Sequence, residues 1–346
     1  MIDVAIVGAS GYGGGELLRW LSVHPEAKIK IATSNTYADK PVSASFPGLA
    51  GRLDLTFTGE NDPAELGKCD VVFLARDNGV AMKVAPALLE AGAKVIDLSA
   101  DFRFRNPADH HVWYNMEHCS PTLCGTAVYG LPELHKAGIS RATLVGNPGC
   151  FTTSSILALA PLVSNNLIDS SSIIVDGKSG VSGAGRSKFG LDYHFSEANE
   201  SVSAYKVAGT HRHTGEIEQE LSLLAGRDVR VSFTPHLVPM TRGILATCYG
   251  NLATEISQSE ILSAYREFYS GAPFVHITDG LPATKHTVGS NMCHIGLAID
   301  KRTNRVTVVS CIDNLGKGMV GQAIQNMNLM FGFKETAGLQ MPAMWP

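Results

Sequence analysis

No apolar run in this 346-residue chain is long enough to cross a bilayer. The amino terminus, Met1-Ile-Asp-Val-Ala-Ile-Val7, goes straight into a strand and lacks the basic and apolar segments of an export signal. Charge is sparse too. Only 17% of residues are charged, the formal net charge is -4, and no basic run or basic–aromatic interleaving offers a nucleic-acid surface. The seven cysteines (69, 119, 124, 150, 248, 293 and 311) are odd in number and scattered. Cys119 and Cys124 are the only close pair and no matching pair lies nearby, so neither a disulfide framework nor a metal knuckle is read. These absences describe a cytoplasmic protein with reduced thiols, bound to neither membrane nor nucleic acid. At 45% apolar, the chain has the means and the length to fill two cores.

What is present starts with glycine. Val4 to Val7 is a continuous apolar strand running into Gly8-Ala-Ser10-Gly11-Tyr12-Gly13-Gly14-Gly15, with a helix from Glu16 through Leu21. The G-x-x-G-x-G spacing is one position off the commonest dinucleotide fingerprint. The physics is shared: turn glycines let the backbone approach a pyrophosphate resting on a helix N-terminus. The second strand, Ile29 to Thr33, ends in Thr33-Ser34-Asn35, with no acidic residue before Asp39 to bond ribose hydroxyls. Ser34 and its neighbours suit a 2'-phosphate, so NADP is expected rather than NAD; Lys40 can assist. Further strands at Asp70 to Leu74 and Lys94 to Leu98 alternate with a helix near Val80 to Ala91, giving a Rossmann-type doubly wound α/β sheet. Ligands gather beyond strand ends in such sheets. Arg76 and Asn78 are therefore assigned to the cofactor and Arg103 to an anionic substrate group. His110, His111 and His118, in the stretch from Asn106 to Cys124, are read as loop histidines, and Tyr129 to Glu133 as a turn.

The strand Ala142 to Val145 completes the sheet and delivers Gly146-Asn147-Pro148-Gly149-Cys150, with a helix following from Phe151. A cysteine at a helix N-terminus sits in positive potential, where a thiolate is favoured. A buried, inert cysteine beside a turn is the alternative. Past it the pattern changes to an α+β domain of several strands and few helices. The stretch Gly177-Lys178-Ser179-Gly180-Val-Ser182-Gly183-Ala-Gly185-Arg186 lacks a P-loop framework, yet its hydroxyls, N–H groups and two cations suit a phosphate-bearing substrate. Asn147 and Arg242 join that substrate set. Tyr205, His211, His213 and Glu216 precede or open a helix through Leu224. Either histidine can carry a proton, and Glu216 can orient an imidazole. Asn314 and Lys317, at the glycine-rich turn before the last helix, are placed on the cofactor. The expected organisation is a nucleotide domain at 1–149, a catalytic and oligomerisation domain at 150–312, and a segment at 313–346 whose helix packs back on the first domain.

Nucleotide domain, cysteine, histidine and anion loop fit the reduction of an activated acyl group through a thioester. The chain resembles the N-acetyl-gamma-glutamyl-phosphate reductase family, of the aspartate-semialdehyde dehydrogenase superfamily, over nearly its whole length. The likeness rests on Gly8-Ala-Ser-Gly-Tyr-Gly13, Asp97-Leu-Ser-Ala-Asp-Phe-Arg103, Gly146-Asn-Pro-Gly-Cys150, His211-Arg-His213 with Glu216-Ile217, and Lys317-Gly318 leading to Gly321-Gln-Ala-Ile-Gln-Asn-Met-Asn328. The resemblance implies NADPH-dependent reduction of an acyl phosphate of N-acetylglutamate to the semialdehyde. It implies Cys150 as nucleophile, His211 or His213 as acid/base, Tyr205 and Glu216 in the same pocket, and Ser10 to Gly14 on the cofactor phosphates. It further implies a homodimer or homotetramer, cytoplasmic in microbes and plastid-located in plants. Two departures stand out: Gly215 replaces the family's proline, and Phe151-Thr152-Thr153 replaces Tyr-Pro-Thr. A sibling reductase acting on a carrier-bound aminoadipyl or glutamyl phosphate, or on aspartyl phosphate, is the competing reading; a non-catalytic nucleotide-binding protein is a third.

Overall fold

Strands that are apolar at every position must be covered on both faces, and parallel order with flanking helices is the usual way to achieve this. The computed structural model, which describes residues 1–59, 62–187 and 190–345, shows that arrangement at the amino-terminal end. The strands are β1 (Ile2–Val7), β2 (Ala27–Ala32), β3 (Val71–Leu74), β4 (Lys94–Asp97), β5 (Val128–Tyr129) and β6 (Leu144–Gly146). They form one parallel sheet in the order β2-β1-β3-β4-β6-β5. The order reverses at β1, so the carboxyl end of β1 is the switch point where a ligand crevice opens. The glycine-rich turn leaves β1 at that point.

The sheet differs from expectation at its edge. Tyr129, read as part of a turn, belongs instead to a two-residue strand at the sheet edge, paired outside β6, which is the last strand of this sheet along the chain. The 106–124 stretch is also less irregular than a loop, because helices run over Pro107–Tyr114 and Pro121–Cys124. His110 is buried there, stacked on Tyr114 with ring centroids 5.1 Å apart and paired with Asp101 at 3.7 Å. Asp101 in turn accepts the Gly79 and Met82 N–H groups, holding the turn that follows β3.

The chain divides into two compact units. The first comprises Met1–Pro148, Gly185–Ser187 and Met319–Gln340. The second comprises the described residues of 149–184, 190–318 and 341–345. Relative to the expected boundaries, residues 313–318 stay with the strand they follow, and the last residues rejoin the second unit. Gly185–Ser187 belongs to the first unit, a long-range excursion that local sequence pattern does not record.

The second unit holds β7 (Ile173–Ser179), β8 (Ser203–Ala204), β9 (Val231–Leu237), β10 (Ile244–Asn251), β11 (Val275–Ile277), β12 (Cys293–Asp300) and β13 (Arg305–Ile312). Their order is β11-β12-β13-β10-β7-β9-β8, with β7–β9 and β11–β12 parallel and the other pairs antiparallel. In β7 and β10, buried and part-exposed residues alternate along the whole strand, as expected of a sheet covered on one face. The cover includes the helix Cys150–Ser164, which contacts β7, β10 and β13. Every residue from Phe151 to Val163 is buried in that helix, the signature of a core helix rather than an amphipathic one. Truncating a core leucine of this kind, such as Leu157, costs about 2–5 kcal/mol. The helix is therefore a stiff post with Cys150 at its tip. Among the described residues, no helix is long and apolar enough to cross a membrane.

Candidate active site

The Cys150 helix begins at Gly149, whose extended backbone (φ -70°, ψ 155°) ends the preceding turn but brings no capping side chain. The cap comes from another helix, His213–Ala225. There the fully buried Glu216 accepts the Gly149 N–H through Oε1 at 2.9 Å. The same oxygen lies 2.8 Å from the Thr152 hydroxyl, which is also 2.6 Å from the Gly149 carbonyl. Thr152 stands where the resembled family carries proline, and proline has no hydroxyl to complete this corner. Glu216 is thus bonded to the nucleophile's own turn, in addition to its expected influence on an imidazole. Glu216→Ala would leave a buried N–H and hydroxyl without this acceptor, at about 1–3 kcal/mol. The denaturation midpoint should fall, and Glu216→Gln, which keeps an acceptor oxygen, should recover part of the loss. Equal midpoints for wild type and the alanine variant would remove Glu216 as the cap.

Cys150 is half-exposed, whereas Cys69, Cys124, Cys248, Cys293 and Cys311 are buried. Burial pushes the Cys124 thiol up to about 11 and the Cys311 thiol up to about 12, and raises Cys69 and Cys248 as well. Those thiols are disarmed as nucleophiles. Cys150 instead occupies the first turn of a helix, where N–H groups lack intrahelical acceptors.

Aromatic rings gather the histidines around this tip. The His211 ring lies 5.9 Å from Phe151, 5.2 Å from Phe233, 5.7 Å from Tyr205 and 4.7 Å from His213. His213 is 6.2 Å from Phe151. The Cys150 charge helps to raise the Tyr205 phenol, after burial, so Tyr205 is electrostatically coupled to Cys150 as well as packed on His211. His211 is held far below an ordinary imidazole, at about 2, by burial first and then by His213, Lys206 and Arg212. Its Nδ1 accepts the His213 N–H at 3.1 Å, so the neutral ring carries its proton on Nε2. Gly318, next to the fully buried Lys317, closes the opposite side: a Cβ there would stand 2.9 Å from the Cys150 Cβ.

The anion loop is rebuilt by the structure. Gly180, Val181 and Ser182 donate N–H groups to the carbonyls of Gly243, Met240 and Thr241. Ser179, Ser182 and Arg242 are thereby drawn to one corner. Asn314 bonds the Ser182 hydroxyl at 2.9 Å and accepts the Gly243 N–H at 2.8 Å, so its side chain braces the loop instead of reaching for a cofactor. Asp313, unassigned from sequence, accepts N–H groups from Gly289, Leu315 and Gly316, and its Oδ2 stands 3.5 Å from Arg242. Its signal in the sequence is the Asp-Asn before a glycine turn.

Other expected members fall elsewhere. Lys178 lies inside β7, one residue before Ser179, and alternation turns it to the opposite face, where Nζ bonds the Asp176 carbonyl and Thr247. Reading the loop from Gly177 placed it wrongly. Asn147 is fully buried in the first unit, its amide bonded to the Met319 carbonyl and Asn326, so it does not face a substrate. Arg103 is buried as well. Its Nε and Nη2 hold the carbonyls of Asn147 and Leu98, bracing strand ends where an anion contact was expected.

In the first unit the dinucleotide turn has the required shape. Gly8 has φ +81°, and a Cβ there would lie 2.3 Å from the Ala75 carbonyl oxygen; one on Gly14 would lie 2.4 Å from the Ala9 Cα. Gly11 caps the helix Tyr12–Leu21 without a side chain, leaving its first-turn N–H groups to a ligand. Tyr12 is 41% exposed at that end, and Gly13 packs against Met319. Arg76 packs over Gly8, its Cδ 2.8 Å from where a Cβ would be. The Ser34 hydroxyl, at the end of β2, bonds that of Ser10 at 2.7 Å. Arg186, expected on the substrate, is here instead: Nη1 donates to the Ser10 carbonyl and to the Ser45 hydroxyl, both at 2.9 Å.

A dinucleotide turn in one unit and a histidine-flanked cysteine on a core helix in the other define a nicotinamide-dependent oxidoreductase of the semialdehyde dehydrogenase class. Residues 3–142 match the semialdehyde dehydrogenase NAD-binding domain, and residues 150–314 match the dimerisation domain of the same class. The N-acetyl-gamma-glutamyl-phosphate reductase of Symbiobacterium thermophilum is 54% identical over 340 residues, covering 98% of this chain and 97% of that one. That of Geobacter metallireducens is 51% identical over 348 residues and the full length of both. The fold matches that of aspartate semialdehyde dehydrogenase II from Vibrio cholerae with a TM-score of 0.73, at 17% identity, over 96% of this chain and 99% of that one. The chain belongs to the N-acetyl-gamma-glutamyl-phosphate reductase family.

Proposed function

We propose that the chain reduces N-acetyl-gamma-glutamyl phosphate to N-acetylglutamate 5-semialdehyde, a step of arginine biosynthesis, with NADPH as reductant and Cys150 as the thioester-forming nucleophile. The observation that carries the mechanism is the half-exposed thiol in the first turn of a buried helix, capped by Glu216 and flanked by two histidines. The names of the close relatives support the substrate. The turn at Gly8 and Gly14, the open helix N-terminus at Gly11 and the hydroxyls at the end of β2 fit a dinucleotide with a 2'-phosphate.

Cys150 attacks the acyl carbon as thiolate. The carbon–oxygen bond to phosphate breaks with its electron pair on phosphate, and an S-acyl enzyme remains. When bound, the reduced nicotinamide supplies the hydride. His211, neutral and carrying its proton on Nε2, donates a hydrogen bond to the acyl oxygen together with the Phe151 N–H. His213 takes the thiol proton and later returns a proton as the hemithioacetal collapses, expelling Cys150 and freeing the aldehyde. Tyr205 orders the His211 ring, while Ser179, Ser182 and Arg242 hold substrate oxygens. The match to a dimerisation domain supports a homodimer or homotetramer, and the free cysteines support a reducing cytoplasm.

The reaction runs backward under phosphate. N-acetylglutamate semialdehyde, phosphate and NADP should give rapid NADP reduction, strictly dependent on phosphate. Good turnover of aspartate semialdehyde or a carrier-bound semialdehyde, with none of the N-acetylated one, would shift the chain to a sibling substrate.

A further inference from the structure

The end of β2 carries no carboxylate, and a phosphate on the adenosine ribose needs a cation in its place. The local sequence offers only Lys40. The second cation comes from far along the chain, in Gly185–Ser187, which belongs to the first unit. Arg186 anchors Nη1 on the Ser10 carbonyl and the Ser45 hydroxyl, and its guanidinium lies over the rings of Phe46 (5.2 Å) and Tyr37 (5.7 Å). Lys40 Nζ lies 5.9 Å from the same Tyr37 ring.

Among the described residues, neither cation has a carboxylate partner, and Nε and Nη2 of Arg186 donate no hydrogen bond. A guanidinium fixed at one nitrogen, stacked on aromatic rings and left with unspent donors is prepared for a planar bidentate acceptor. The neighbouring hydroxyls reinforce this. The buried Ser34 hydroxyl donates to Ser10 and accepts the Tyr37 N–H at 3.1 Å, tying the Arg186 anchor to the strand end where the ribose sits.

We propose that Arg186, assisted by Lys40, binds the ribose 2'-phosphate of the cofactor and sets the preference for NADPH over NADH. This deepens the proposed function and rests on its nucleotide assignment. It does not depend on the acyl substrate. An arginine from far along the chain thereby performs the task that doubly wound domains usually give to the loop directly after the second strand.

The test is binding and kinetics on full-length protein carrying Arg186→Ala, Arg186→Lys and Lys40→Ala. Calorimetry with 2',5'-ADP and with 5'-AMP reads the phosphate alone, whatever the acyl substrate proves to be. Arg186→Ala should weaken 2',5'-ADP roughly 10- to 100-fold, as expected for loss of a charge-assisted bidentate contact. The effect on 5'-AMP should be much smaller. Arg186→Lys should recover part of the loss, and Lys40→Ala should produce a smaller one. In the assay, the NADPH to NADH ratio of kcat/KM should fall in parallel, through KM. Equal weakening of both nucleotides would make Arg186 a structural brace of the Ser10 turn, and no weakening would place the phosphate elsewhere. Either result overturns the proposal. Intact discrimination with no turnover of the N-acetylated semialdehyde would leave the proposal standing and refute the substrate assignment instead.

Discussion

Cys150→Ser should lower turnover by roughly 10³-fold or more while NADPH still binds. The two side chains differ by one atom, so the turn at Gly149, the Glu216 cap and the ring of aromatics survive. What disappears is the accessible anion: a serine hydroxyl ionises far above the thiol, and the first-turn N–H groups cannot close that gap. Intact-protein mass spectrometry after mixing with acyl phosphate should show an added acyl group on wild type and none on the serine variant. Retained turnover, or an acyl group on a different residue, would remove Cys150 from the mechanism. Cys69, Cys124, Cys248 and Cys311 are poor substitutes, since burial raises their thiol pKa values.

Replacing the two histidines should have unequal effects. His213→Asn should cost on the order of 10²- to 10⁴-fold in kcat and erase a limb of the pH–rate profile, as removal of an acid/base group does. His211→Gln should keep both limbs, because the wild-type ring is neutral across the working range and serves as a donor, a role an amide can approximate. A lost limb in the His211 variant with an intact one in the His213 variant would reverse the assignment. Stability gives an independent measure. Folded His211 takes a proton only near pH 2, against about 6.5 when unfolded, so between these values the unfolded chain binds more protons. Its contribution therefore falls as pH drops below 6.5 and keeps falling towards 2, by at most about 1.4 kcal/mol per pH unit. His294, held at about 4 by burial and then by His276 and His286, acts with the same sign over a shorter span. His110 acts in the opposite sense, because its bonds to Asp101 and to the Met116 carbonyl outweigh burial and raise it. Urea midpoints at pH 7 and pH 5 should differ less for His211→Gln than for wild type.

The parts legible in the sequence are those set by neighbours along the chain. The β1–glycine turn–helix segment and the strand–turn–helix around Cys150 depend on apolar runs, turn residues and helix starts within about a dozen positions. Lys178 reads from the sequence as part of a loop, whereas β7 continues through it to Ser179, and alternation sends these adjacent residues to opposite faces. Arg186 and Asn147 illustrate a different limit. Their partners, Ser10 and Ser45 for one, Met319 and Asn326 for the other, lie well over a hundred residues away. No periodicity encodes such pairings. Thr152 shows a third: a hydroxyl in a helix's first turn has many local uses, and only the arrival of Glu216 from another helix selects this one.

The helix Gly321–Met330 is buried along its entire length, polar residues included. Asn326 bonds the Gly130 carbonyl and the Asn147 amide oxygen, Asn328 meets His24, and Gln325 reaches Glu133. In vectorial synthesis these partners leave the ribosome long before the helix that satisfies them. The first 148 residues alone thus leave these polar groups without the helix that satisfies them. A fragment ending at Pro148 is therefore an unfinished unit, not a free-standing nucleotide-binding module.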